Sequence, residues 1–190
     1  MFKRLLLLSF LLFSLKSVSQ PPVVYINFVS HNEPGDNLQT SSNFNTMNTK
    51  VLQLAAIIDA KGASWNLETC DGYPTGALNY QGTSSNIFKT LTTAPYADNI
   101  EIDPRPKTLL SSAINIADTY HILDSLGCNP THTLGGFIYA TSSQTSAPID
   151  WFTYQDTVTG IAYPRSKWKA QLMWGAGSYL PHTNDLNDYG

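Results

Sequence analysis

The chain has 190 residues, with 11 lysines and arginines against 14 aspartates and glutamates, giving a formal net charge of −3. That acidic balance weighs against nucleic acid as a partner, because such binding needs a basic surface to displace counterions. Charged residues make up only 13% of the chain and aromatics 12%, and together with the abundant Asn, Thr and Ser this suits an extracellular protein handling neutral ligands such as sugars.

The first segment in chain order is a leader. Lys3 and Arg4 precede an apolar run from Leu5 to Leu15, and Ser17, Val18 and Ser19 follow before Gln20. This is the layout of a secretory signal peptide over residues 1–19, and it implies export to the periplasm or the extracellular space. A spanning helix needs about 20 apolar residues. This run is much shorter and is closed by Lys16, and no later stretch rivals it, so no membrane span is expected. Cleavage takes away Lys3, Arg4 and Lys16 and no acid, moving the net charge of the remainder from −3 to about −6. Residues 20–190 suit one domain. Export also permits a disulfide between Cys70 and Cys128, with two buried free thiols as the alternative.

Val23 to Ser30, a β-branched and aromatic run behind Pro21 and Pro22, reads as a buried strand. From about Asn43 to Lys61, Met47, Val51, Leu54 and Ile58 recur at helical spacing and Gly62 supplies the stop. Trp65 to Thr69 is a short strand, followed by a loop rich in Gly, Pro, Asn and Tyr and a short helix near Ser85 to Leu91. Asn99 to Asp103 is the next strand. Ala113 to Leu126 forms a second amphipathic helix through Ile116, Tyr120 and Leu123, ending at Gly127. Thr133 to Tyr139 and Ala170 to Trp174 are the last strands, separated by a Ser/Thr-rich loop. Strands alternating with helices argue for parallel βαβ units and an α/β fold. The polar segment after Trp174 brings no covering helix, so the ending fits a complete chain or a fragment of a longer one.

In parallel α/β folds the functional residues follow the C-terminal ends of the strands. Here those positions hold His31, Asn32 and Glu33, then Asp71, then Asp103, Arg105 and Lys107, and finally His182, Asn184 and Asp185. His31 and Glu33, two residues apart after a strand, offer a zinc or hard-metal ligand pair, with His182 as the third candidate. Asp71 in the CDGYP turn can serve as a general base or can cap the turn. His121 within a helix and His132 ahead of a strand read as structural. No Gly-x-Ser-x-Gly elbow, phosphate-cradling loop or Cys-x-x-Cys pair is present.

The succession YINFVSHNEP, CDGYP, NIEIDPRPK, ADTYHILDSLG, TLGGFIY and MWGAGSYLPHTND resembles a secreted bacterial branch of the glycoside hydrolase/deacetylase superfamily, related to polysaccharide deacetylases. The resemblance covers essentially the whole of 20–190 and implies a parallel (β/α) barrel of the deacetylase-like type, incomplete at its C-terminus if the chain is a fragment. It implies metal-assisted removal of acetyl groups from a carbohydrate, with a divalent ion, zinc foremost, on His31, Glu33 and His182. Asp71 is then the catalytic base, and Asp103, Arg105, Lys107, Asn184 and Asp185 contact the substrate.

The chain departs from this branch at the third strand. The branch carries a segment of the form Asp-Pro-His-x-His-Glu, whereas this sequence reads Asp103-Pro104-Arg105-Pro106-Lys107-Thr108. Arg cannot ligate a cation and Lys rarely does. Two alternatives follow: an inactive barrel that binds glycan, or a site whose Arg105 and Lys107 hold an anionic substituent such as a uronate.

Overall fold

The computed structural model describes residues 25–32, 37–105, 113–134 and 157–173. The leader, Glu33, Lys107, His182, Asn184 and Asp185 lie outside the described residues, as do Val23, Val24, Gly135 to Tyr139 and Trp174 of the expected strands.

The elements run β1 (Asn27–Asn32), α1 (Ser41–Lys61), β2 (Ser64–Thr69), α2 (Gly72–Tyr80), α3 (Ile87–Leu91), β3 (Ile100–Pro104) and α4 (Ile116–Ser125). Four two-residue strands complete the order: β4 (Thr133–Leu134), β5 (Val158–Thr159), β6 (Lys167–Trp168) and β7 (Leu172–Met173). The first three strands form a parallel sheet in the order β1-β2-β3, β4 pairs with β7 in parallel, and β5 with β6 form an antiparallel pair. No helix among the described residues is long and apolar enough to cross a membrane.

Side chains alternate across each strand, and the sequence exploits this. Trp65 and Leu67 of β2 and Ile100 and Ile102 of β3 face one way and are buried against α1, α2 and α4 with Phe44, Val51, Ile58, Tyr73 and Leu123. The other face carries Asn66, Glu68, Glu101 and Asp103. A one-residue slip would exchange the two sets, so the register is strongly specified.

Gly62 ends α1 as expected, at φ +60° with its N–H on the carbonyls of Asp59 and Ile58. Gly127 follows α4 at φ +78°. The helix also joins two apolar clusters, with Ile122 and Leu123 in the main core and Ile116 and Ala117 beside Leu134, Trp168 and Ala170. Its Asp118 is fully buried and accepts backbone N–H bonds from Asn115, Ile161 and Tyr163 at 2.8–2.9 Å, tying the β5–β6 pair to the helix. Burial works to raise the Asp118 carboxyl, but these bonds outweigh it and hold its pKa below the ordinary value. His121 packs at a tilt against the Tyr163 ring, and His132 bonds the Lys169 carbonyl, so both have structural partners.

Three expectations need correction. The loop expected after β2 is the helix α2: Pro74 sits in its first turn, where a missing N–H costs no helical bond, and Gly76 lets the helix approach α1. β1 is an exposed strand, with Phe28 48% and Val29 44% exposed, because among the described strands it pairs only with β2. The Ser/Thr-rich loop leads into the β5–β6 pair, which the sequence reading did not anticipate. Cys70 and Cys128 are both buried and are not joined in a disulfide, and burial pushes the Cys128 thiol up to about 12.

A Cβ at position 76 would lie 2.5 Å from the Leu38 carbonyl oxygen and 2.8 Å from the Phe44 ring, whereas at Gly72 nothing lies within 4 Å. Gly76→Ala should therefore cost about 1–3 kcal/mol by overpacking, and Gly72→Ala less than about 0.5 kcal/mol. Urea midpoints of the two variants check this ordering.

Candidate functional site

Parallel register places His31 opposite Glu68, and Glu68 opposite Asp103. The three side chains therefore form a row across neighbouring strands on the polar face, near the C-terminal ends of those strands. Each step between strands is about 4.8 Å. The row leads from the interior to solvent, since Asp103 and Glu68 are fully buried and the His31 side chain is 40% exposed.

His31 Nδ1 lies 3.1 Å from Glu68 Oε2. An ionised carboxylate only accepts, so opposite an ionised Glu68 it is Nδ1 that carries the proton and donates, leaving Nε2 as the unprotonated nitrogen of the neutral ring. Glu68 Oε1 has no hydrogen-bond partner among the described residues. Two residues earlier on the same face, Asn66 donates its side-chain N–H to Asp103 Oδ2 at 2.7 Å, and Asn66 Oδ1 is also without a partner there.

Asp103 links β2 to the chain ahead of β4. Its second oxygen accepts a short hydrogen bond from the Thr131 hydroxyl. That hydroxyl in turn accepts the Thr133 N–H at 3.0 Å, while the Thr131 N–H reaches the Ile102 carbonyl at 2.9 Å. Burial pushes the Asp103 carboxyl up to about 6; the bonds from Thr131 and Asn66 pull it down, and the charges of Glu68 and Glu101 add to the rise.

Of the other expected site residues within the described regions, Asp71 and Arg105 stand at the same end of the sheet. Asp71 is buried, two residues past β2 and at the N-terminus of α2, without a side-chain cap bond to that helix. Arg105 follows β3 directly, and its backbone N–H donates to the Thr69 carbonyl at 2.8 Å, extending the β2–β3 pairing by one step. Among the described residues no group of three or more His, Cys, Asp and Glu side chains converges to hold a metal ion, and His31 commits Nδ1 to Glu68. Glu33 and His182, the other two expected metal ligands, lie outside the described residues.

Glu68, Asn66 and Thr131 were absent from the sequence-derived candidates. The first two carried a signal in the strict alternation Trp65, Asn66, Leu67, Glu68, where polar residues at every second position of a buried strand mark a polar interior face. Thr131 carried none, because its role depends on the chain returning beside β3. The chain matches no family model, no curated protein and no solved structure.

The raised Asp103 value has a definite sign in stability. The carboxyl is about 6 in the fold against about 3.9 unfolded, so its favourable contribution is complete below about pH 4 and is lost as pH rises towards 6. Asp103→Asn keeps an acceptor for Asn66 and a donor for Thr131 without the charge. Relative to wild type, its stability should increase by on the order of 3 kcal/mol between pH 3.5 and pH 7, measured by urea unfolding at the two pH values.

Proposed function

We propose that this chain is a secreted hydrolase of acetylated, otherwise neutral glycans, in which His31 is the general base and Glu68 orients it. The observation carrying the reading is a half-exposed imidazole backed by a fully buried carboxylate at the C-terminal end of a parallel sheet. A buried acid on Nδ1 fixes the tautomer and stabilises the imidazolium that forms when Nε2 takes a proton, the same division of labour as in hydrolase triads. The sugar assignment draws on the low charge content and on the deacetylase resemblance, which also motivates the parallel barrel as the parent architecture.

In this scheme Nε2 of His31 removes a proton from water, and the oxygen of that water attacks the acetyl carbonyl carbon. The tetrahedral oxyanion collapses, breaking the bond to the sugar oxygen or nitrogen. The imidazolium returns the proton to that leaving group, so acetate and the free sugar hydroxyl or amine are released. Arg105, at the end of β3, is a fixed cation suited to balancing the oxyanion, and Asp71 is the carboxylate of the same sheet end.

Acetate release from acetylated xylan and from N-acetylated chitooligosaccharides tests the reading. His31→Ala should lose roughly 10²–10⁴-fold in kcat, and Glu68→Gln, which cannot hold an ionised partner against the imidazolium, should lose about 10²-fold or more. Equal rates in His31→Ala and wild type would remove His31 as base. Oligosaccharide binding by the wild type with no acetate released would instead identify a glycan-binding domain.

A further inference from the structure

The polar face of β2 holds one amide donor and one carboxylate that could satisfy each other. Asn66 and Glu68 are two residues apart on the same face, about 6.5 Å between Cα atoms, and Glu68 Oε1 has no partner among the described residues. A buried acceptor in that condition costs free energy, and Asn66 carries a side-chain N–H pair two positions away on the same face. It is nevertheless turned to the neighbouring strand, where Asp103 holds it at 2.7 Å. Asp103 is itself fixed from the far side by Thr131 and is fully buried, so it is not placed to touch a substrate directly.

We infer that Asp103 is a positioning residue, which captures the Asn66 amide and so keeps Glu68 undivided for His31. This rests on the reading of His31 and Glu68 as the working dyad. Without the capture, Asn66 rotates to donate to Glu68, the carboxylate shares its charge between two donors, and its hold on the imidazole weakens. Asp103 acts on His31 only through Asn66 and Glu68.

A double-mutant cycle in the full chain isolates that route. Two quantities are read for each variant: the low-field proton resonance of the His31 Nδ1–H held by Glu68, and acetate release from acetylated xylan. Asp103→Ala should shift or broaden the resonance and lower kcat about tenfold with little change in KM. Asp103→Asn, which can still accept from Asn66, should restore the resonance and bring kcat within about threefold of wild type. In an Asn66→Ala background the further change Asp103→Ala should cost nothing, because no amide is left to capture.

An unaltered resonance in Asp103→Ala, or the same tenfold loss in the Asn66→Ala background, would overturn the inference. Resonances that follow the expected pattern in a protein releasing no acetate would support the positioning role and reject the hydrolase reading. Far-ultraviolet circular dichroism and the intact Asp103→Asn variant separate either result from loss of the fold.

Discussion

Two carboxylates, Glu68 and Asp103, lie side by side with no exposed surface near the C-terminal ends of two parallel strands, and much of the local architecture answers to them. Buried charges of like sign are tolerated only where hydrogen bonds, a counter-charge or a proton offset the lost hydration. Here the load is divided. Glu68 faces an imidazole, and Asp103 receives an amide and a hydroxyl from two different stretches of chain. Each solution recruits another element, so β1, β2, β3 and the chain ahead of β4 are joined by side chains as well as by backbone ladders.

The apolar side of the same sheet makes that arrangement compulsory. Trp65, Leu67, Ile100 and Ile102 supply the surface on which α1, α2 and α4 are seated, and the pleat gives their alternate neighbours no choice but the opposite face. A polar residue there can be exposed, or it can be buried in company. Glu101 on β3 shows the first outcome, and Glu68 on β2 and Asp103 on β3 show the second. His31 stands at the junction, with one ring nitrogen in the buried network and the rest of the ring partly in solvent. A proton accepted from outside is thereby balanced from inside, which is what a general base needs and what an isolated surface histidine lacks.

How much of this was legible depended on whether a signal was local. The helix stops at Gly62 and Gly127, the spacing of Val51 and Ile58, and the strands around Trp65 and Ile102 could all be read because each rests on periodicity or backbone freedom within a few residues. Residues 72–80 were misread since Gly, Pro, Asn and Tyr favour turns in isolation, and the gain that overrides this is tertiary: Tyr73 and Ala77 are fully buried and Gly76 sits against Leu38 and Phe44. The site was half legible. His31 was found because a histidine after an apolar run invites attention, whereas Glu68 was passed over inside a strand. Sequence order gave no reason to favour the strand's interior over the loop beyond it, but register did.

The replacement of the two histidines expected after the third strand by Arg105 and Lys107 bears on catalysis through this same geometry. If the chemistry depended on that strand end alone, the substitution would leave a binding surface and no base. In the proposed reading the dyad on β1 and β2 makes the base independent of it, since His31 is held by Glu68. A cation that follows directly on β3, the strand carrying the buried Asp103, is then electrostatically sensible. The departure from the expected pattern and a proton acceptor two strands away, as proposed for His31, are thus compatible features of a single site. In the proposed reading, Arg105 supplies part of the positive charge that a metal ion would bring to that site.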